Sequence, residues 1–228
     1  MHTHASTRKL SREPRRLSGG LCSPSAVSSE PIQASQWCGL KDYLWTGWGT
    51  GLLAILLLLA GPAYADDALL ERLHEPGTVL LLRHALAPGT GDPPGFQLDD
   101  CSTQRNLSEA GREQARQLGE RLRASGITDA RVYSSRWCRC LETAELLRVG
   151  PVQPEPALDS FFQRRAEGPG RTAAARQRIR ELPLGPPVVM VTHQVNISAL
   201  TGQFTPSGAG VIIRIVPDGD AEILGIWQ

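Results

Sequence analysis

The chain has 228 residues, 41% of them hydrophobic and 21% charged, with 24 Lys/Arg against 23 Asp/Glu and five Cys. That is enough apolar chain to bury one sizeable core, which excludes disorder throughout and favours one domain over two. Residues 1–65 hold six of the basic and three of the acidic groups, leaving 18 and 20 in a nearly neutral remainder that offers no electrostatic basis for binding nucleic acid.

Residues 1–36 are rich in Ser, Arg, Pro and Gln without a sustained apolar period and read as a disordered leader. Lys41 then precedes a nine-residue apolar run, Leu52 to Ala60, the length of a signal-peptide core. A bilayer span would need about 20 such residues. Ala63-Tyr64-Ala65 supplies a small-x-small cleavage site, with Asp66 first in the mature chain. The expectation is a leader and signal segment over 1–65, a folded domain over 66–228, and a periplasmic protein. The alternative is an inner-membrane anchor, because Leu44 to Ala60 carries no charge. The long stretch ahead of the apolar run would be explained by a start codon between Val27 and Leu44.

From Asp66 strands and helices alternate. Val79 to Leu82 is an unbroken apolar run of the kind a parallel strand buried on both faces shows. Leu107, Gly111, Ala115, Leu118 and Leu122 recur at helical spacing behind Asn106 and Ser108, either of which can cap, and Gly126 is a stop signal. Val132 to Ser135 reads as a second strand and is followed by a helix through Leu147. Thr172 to Leu182 reads as another helix and Val188 to Thr192 as a second all-apolar strand. Val211 to Val216 and Ala221 to Trp227 flank Pro217-Asp218-Gly219-Asp220, a hairpin turn. This order predicts an α/β three-layer sandwich with a mostly parallel central sheet.

In such sheets ligands bind beyond the carboxyl ends of the strands. If the runs at Val79 and Val188 are parallel neighbours, His84 and His193 emerge at one sheet edge together with Arg136 and Arg139, which follow the strand at Val132. An arginine at a helix N-terminus opposes the helix dipole, so it is not there to stabilise the helix. Guanidinium groups bind phosphate oxygens in bidentate fashion and a neutral imidazole can attack phosphorus, so the cluster reads as an anion site.

These residues carry a resemblance to the histidine phosphatase superfamily, in its phosphoglycerate mutase-like branch. Arg83-His84-Ala85 is similar to the family's Arg-His-Gly, and Asn106-Leu-Ser-Glu-Ala-Gly-Arg-Glu-Gln-Ala115 to its Leu-Thr-x-x-Gly-x-x-Gln-Ala helix start. Ser134-Ser-Arg-Trp-Cys-Arg-Cys-Leu-Glu-Thr-Ala144 resembles Ser-x-x-x-Arg-Ala-x-Gln-Thr-Ala, and Val191-Thr-His-Gln194 resembles Val-Ser-His-Gly. The resemblance implies a phosphoglycerate mutase-like fold and a phosphatase in which His84 is the nucleophile and forms a phosphohistidine. Arg83, Arg139 and His193 would hold the phosphoryl oxygens, Arg136 would sit at the rim at best, and no cofactor or metal would be needed. Asn196 could reach phosphate or cap the helix after its strand. Ala85 in place of glycine adds a methyl expected to narrow the pocket floor. The glutamate acid of many relatives falls at Ser160, leaving Asp159 and Asp92 as candidate general acids. The expected partner is a small-molecule phosphate ester or an envelope glycolipid phosphate, as the family includes an envelope lipopolysaccharide core phosphatase. No nucleic acid is expected, and membrane contact only through an uncleaved signal segment. A catalytically inert phosphate-binding module is the rival reading.

Cleavage after Ala65 leaves Cys101, Cys138 and Cys140, an odd number in an oxidising compartment. Cys138 and Cys140 are two apart at a helix start and point apart. Cys140 takes the place of the family's small alanine, which implies a buried thiol. A Cys101–Cys138 disulfide is expected, pinning the loop after His84 to the helix that carries Arg139; the alternative is three free cysteines, each packed as a small hydrophobe.

Overall fold

The computed structural model describes residues 68–216 and 221–228. The expected leader, the signal segment with its cleavage site and the turn at Pro217 to Asp220 lie outside the described residues. The strands are Thr78–Arg83 (β1), Arg131–Ser134 (β2), Val152–Pro154 (β3), Val188–Thr192 (β4), Gly210–Arg214 (β5) and Glu222–Trp227 (β6). They form one sheet in the order β3-β2-β4-β1-β5-β6. Its first four strands are parallel; β5 and β6 are antiparallel to their neighbours.

The unbroken apolar runs have a simple cause. Successive side chains of a strand point to opposite faces, so a strand covered on both sides must be apolar at every position. Leu80 and Leu82 of β1 and Val189 and Val191 of β4 face one core cluster, while Val79, Leu81, Val188 and Met190 face the other. Helices Glu109–Ala124 (α1) and Cys138–Leu147 (α2) cover the first face through Leu118, Leu122, Ala144 and Leu147. Helices Gly168–Arg180 (α3) and Gln194–Thr201 (α4) cover the second through Ile179 and Ile197. The result is the three-layer α/β arrangement expected from the sequence.

Two glycines fix how α1 sits. A Cβ at Gly111 would lie 2.0 Å from the Leu86 carbonyl oxygen, and one at Gly119 would lie 2.2 Å from that of Leu147. Only glycine lets α1 lie directly on the loop after β1 and on the end of α2. Ser108 caps α1 by accepting the Gly111 N–H at 3.1 Å, and its own N–H donates to the Leu86 carbonyl. The Gly in the Asn106–Ala115 motif is thus a contact point with the strand-end loop that carries His84.

Because β4 lies between β1 and β2, the carboxyl ends of all three open on the same edge. Register places Arg83 opposite Thr192 and Ser134 opposite Val191. The residues that follow each strand, His84, Ser135 and His193, are therefore delivered side by side.

Candidate active site

At that edge a cavity of ≈100 Å³, large enough to admit a phosphoryl group, is lined by Arg83, His84, Arg105, Arg139 and His193. Asp92 and its loop neighbours Gly89 to Gly91 form one wall, and Ser160, Phe162, Gln163, Gln194 and Val195 complete it. The charged lining is three guanidinium groups and one carboxylate.

His84 is 2% exposed. Its Nδ1 lies 2.7 Å from the Ala85 carbonyl oxygen, and a carbonyl only accepts, so Nδ1 carries the proton. The lone pair of the neutral ring is then on Nε2, the nitrogen left to react. Burial, and after it the charge of Arg139, lower the His84 pKa to about 3, overcoming the Ala85 hydrogen bond that raises it. The ring is thus a free base at neutral pH. Ala85 N–H donates to Thr143 Oγ1 at 3.0 Å, and the Thr143 hydroxyl donates to the Arg139 carbonyl at 2.6 Å, tying the loop after β1 to α2. The Ala85 methyl joins a small apolar cluster with Ala87, Leu107 and Ala115. It packs under α1 and does not line the cavity, so the expected narrowing of the pocket floor is corrected.

The arginines are held by backbone acceptors and by Asp92. Arg83 Nη1 donates to the Thr205 carbonyl at 2.8 Å, and Arg105 Nε to that of Gly91 at 2.7 Å. Burial and the charge of Arg139 lower both pKa values, that of Arg105 to about 10. Arg139 is 2% exposed, and its Nη1 and Nη2 donate to the two oxygens of Asp92 at 2.7 and 3.2 Å. The Nε atoms of Arg83 and Arg139 are buried without a protein partner. Buried N–H donors at a cavity wall are what an incoming anion would satisfy.

His193 packs edge-on to His84, with ring centroids 5.5 Å apart, and to Trp137 at 5.3 Å. Its Nε2 is hydrogen-bonded to Ser135 Oγ at 2.9 Å, and Ser135 lies 3.4 Å from Asp159 Oδ1. Burial, then the charge of Arg139, put its pKa well below the ordinary value. Cys140 Sγ sits 3.5 Å from the same Nε2, and burial pushes that thiol up to about 12. Cys140 is thus the buried neutral thiol expected, and Cys101–Cys138 are joined as a disulfide.

The structure brings together His84, Arg83, Arg139, His193 and Asp92, all named from the sequence, and sets two others aside. Asn196 donates to the carbonyls of Leu158 and Asp159 at 2.8 and 3.1 Å and does not line the cavity. It staples the chain after β3 instead of reaching for phosphate. Asp159 is 1% exposed and grips Arg136 through Nε, Nη2 and the backbone N–H. Neither it nor Arg136 lines the cavity. Arg105, Trp137 and Gln163 were not singled out from the sequence. Arg105 lies in an irregular loop, and its only local signal is its place directly ahead of the Asn-Leu-Ser helix start. Among the described residues no cluster of three His, Cys, Asp or Glu side chains is placed to hold a metal ion.

Compared with known proteins, the family model described as the histidine phosphatase superfamily (branch 1) matches residues 79–169. No curated protein matches the sequence. Among solved structures, a proposed alpha-ribazole-5′-P phosphatase from Escherichia coli is similar at 20% identity, over 68% of this chain and 97% of that one, with a TM-score of 0.50. An open reading frame product of Mycobacterium tuberculosis is similar at 17% identity, over 67% and 97%, with the same TM-score. At these identities the likeness carries the fold.

Proposed function

We propose that the chain, whose residues 79–169 match the histidine phosphatase superfamily model, is an exported phosphomonoester hydrolase working through a phosphohistidine on His84, without a metal. The observation that carries this reading is the free Nε2 of His84 in a cavity with three guanidinium groups. Three positive charges and the one negative charge of Asp92 leave the lining at about +2, the complement of a phosphoryl dianion.

In the proposed reaction His84 Nε2 attacks phosphorus in line, and the bond to the leaving oxygen breaks as the N–P bond forms. Nδ1–H stays on the Ala85 carbonyl and stabilises the imidazolium that develops. Arg83, Arg105 and Arg139 hold the equatorial oxygens, where charge spreads in the transition state. Water then attacks the phosphohistidine and His84 leaves as neutral imidazole.

No side chain of the lining is evident as a protonated carboxyl. Burial raises the Asp92 pKa, but the hydrogen bonds and charge of Arg139, with Arg105 N–H and Trp137, outweigh it and leave the group below its ordinary value. The site therefore suits leaving groups that depart without a proton. Export directs the reading toward an envelope or periplasmic phosphate ester.

The test is turnover of p-nitrophenyl phosphate by protein purified from the periplasm, with and without a chelator. Chelator-resistant release of phosphate supports the proposal. Tight phosphate binding without turnover would favour the second reading, an inert phosphate-binding member of the fold, which the missing acid keeps in view.

A further inference from the structure

Asp92 has an unusual position for a carboxylate in an anion cavity: it repels the substrate, yet it is as buried as the arginine it faces, each side chain 3% exposed. Its oxygens are fully engaged. Oδ1 accepts from Arg139 Nη1 at 2.7 Å and from Arg105 N–H at 3.0 Å. Oδ2 accepts from Trp137 Nε1 at 3.0 Å and from Arg139 Nη2 at 3.2 Å. An ionised carboxylate has about four acceptor positions, so none is left over and a proton could enter only by displacing a donor. Its backbone is held as well, since Gln163 accepts from Asp92 N–H and donates to its carbonyl.

The pairing uses one particular edge of Arg139. A guanidinium presents two forks, the Nη1/Nη2 end and the Nε/Nη2 side. Asp92 takes the end, and the side is marked by an Nε that is buried without a protein partner on a residue lining the cavity. Arg139 is therefore clamped with one fork spent and the other free for an anion.

We propose that Asp92 is a positioning residue, a resident counter-ion that clamps Arg139 by its end fork so that the side fork meets the phosphoryl group, and that holds the lining at the charge a dianion complements. The proposal rests on the phosphatase reading for its kinetic consequences but not for its binding consequence. Trp137 shares in the clamp, since the indole that packs on His193 also donates to Asp92. Asp92 thereby links the Arg139 guanidinium, the Arg105 backbone and, through the Trp137 indole, the second histidine to the loop after β1.

The test compares Asp92→Asn with the wild type on p-nitrophenyl phosphate and on phenyl phosphate, whose leaving oxygen is the more basic, and measures inorganic phosphate binding by calorimetry. A positioning anion predicts that kcat falls tenfold or more by the same factor on both substrates, while phosphate binds at least as tightly because the cavity has lost a negative charge. Trp137→Phe, which keeps the ring and removes the donor, should lower kcat in the same way by a smaller factor. A loss confined to, or much larger on, phenyl phosphate would overturn the proposal by making Asp92 a general acid, and unchanged kcat on both would also overturn it. Phosphate binding lost together with turnover would overturn it too, assigning Asp92 to loop folding alone. If the wild type turns over neither substrate, the phosphatase reading fails, and the proposal is then decided by phosphate affinity in Asp92→Asn, which must hold or rise.

Discussion

The hydrogen bond from His84 Nδ1 to the next carbonyl settles which nitrogen can react, and burial keeps that nitrogen unprotonated. With a pKa of about 3 in place of the ordinary 6.5, the free enzyme should not lose kcat/KM as pH falls through 6.5, for a substrate already fully ionised there. A pH profile showing a fall centred at the ordinary histidine value would contradict this. The two arginines of Ser134–Ala144 should separate cleanly. Arg139→Ala removes a cavity donor and should cost activity about 3–4 kcal/mol of transition-state stabilisation, as loss of a preorganised donor does elsewhere. Arg136→Ala should leave kcat nearly unchanged but lower stability by roughly 1.5–3 kcal/mol, because the buried Asp159 carboxylate loses its charged hydrogen bonds. Steady-state kinetics and denaturant melts on both variants would show whether the losses fall in that pattern or are exchanged.

Among the elements, the loop between β1 and α1 has the least regular structure and the most functional groups, Asp92 and Arg105 among them. Its only regular piece is a short 3-10 turn, Cys101–Thr103, and the disulfide fastens that turn to the start of α2. Gln104 reinforces the join by accepting the Cys138 N–H. Closing a loop with a sequence separation of 37 should contribute about 4 kcal/mol in the chain-entropy picture. Reduction, or Cys101→Ser with Cys138→Ser, should therefore lower the denaturation midpoint and also kcat, since Asp92 and Arg105 ride on the loop. An unchanged kcat in the reduced protein would show that the ion pairs hold the loop unaided. The elements themselves differed in how far the sequence announced them. β1 and β4 were legible because double-sided burial demands an apolar residue at every position. The edge strand β3, three residues ending in Pro154 and paired on one side only, carries no such demand and went unread. α3 begins at Gly168, ahead of the expected Thr172, because Gly-Pro-Gly reads as a breaker although Pro is tolerated in a first turn. Arg105 was missed for a related reason: an irregular loop has no period, and only folding brings it to Arg139.

For the whole molecule, the sheet order makes one edge hold two buried neutral histidines beside three arginines, and this couples stability to pH. The unfolded chain takes up protons on His84 and His193 below about pH 6.5. Folded His84 does not until about pH 3, and folded His193, also shifted down, acts in the same direction. Stability is then lost as pH falls from 6.5 toward 3, with His84 alone contributing about 2 kcal/mol of loss by pH 5. Denaturant unfolding at pH 7 and pH 5 would test this, and equal stability at the two would contradict it. The central claim is chemical, and rapid quenching of the enzyme with a ³²P-labelled phosphate ester addresses it most directly. The account predicts acid-labile, alkali-stable label that maps to His84 in the wild type and is absent, together with turnover, in a folded His84→Ala variant. Turnover that persists in His84→Ala, or label that maps to another residue, would contradict it.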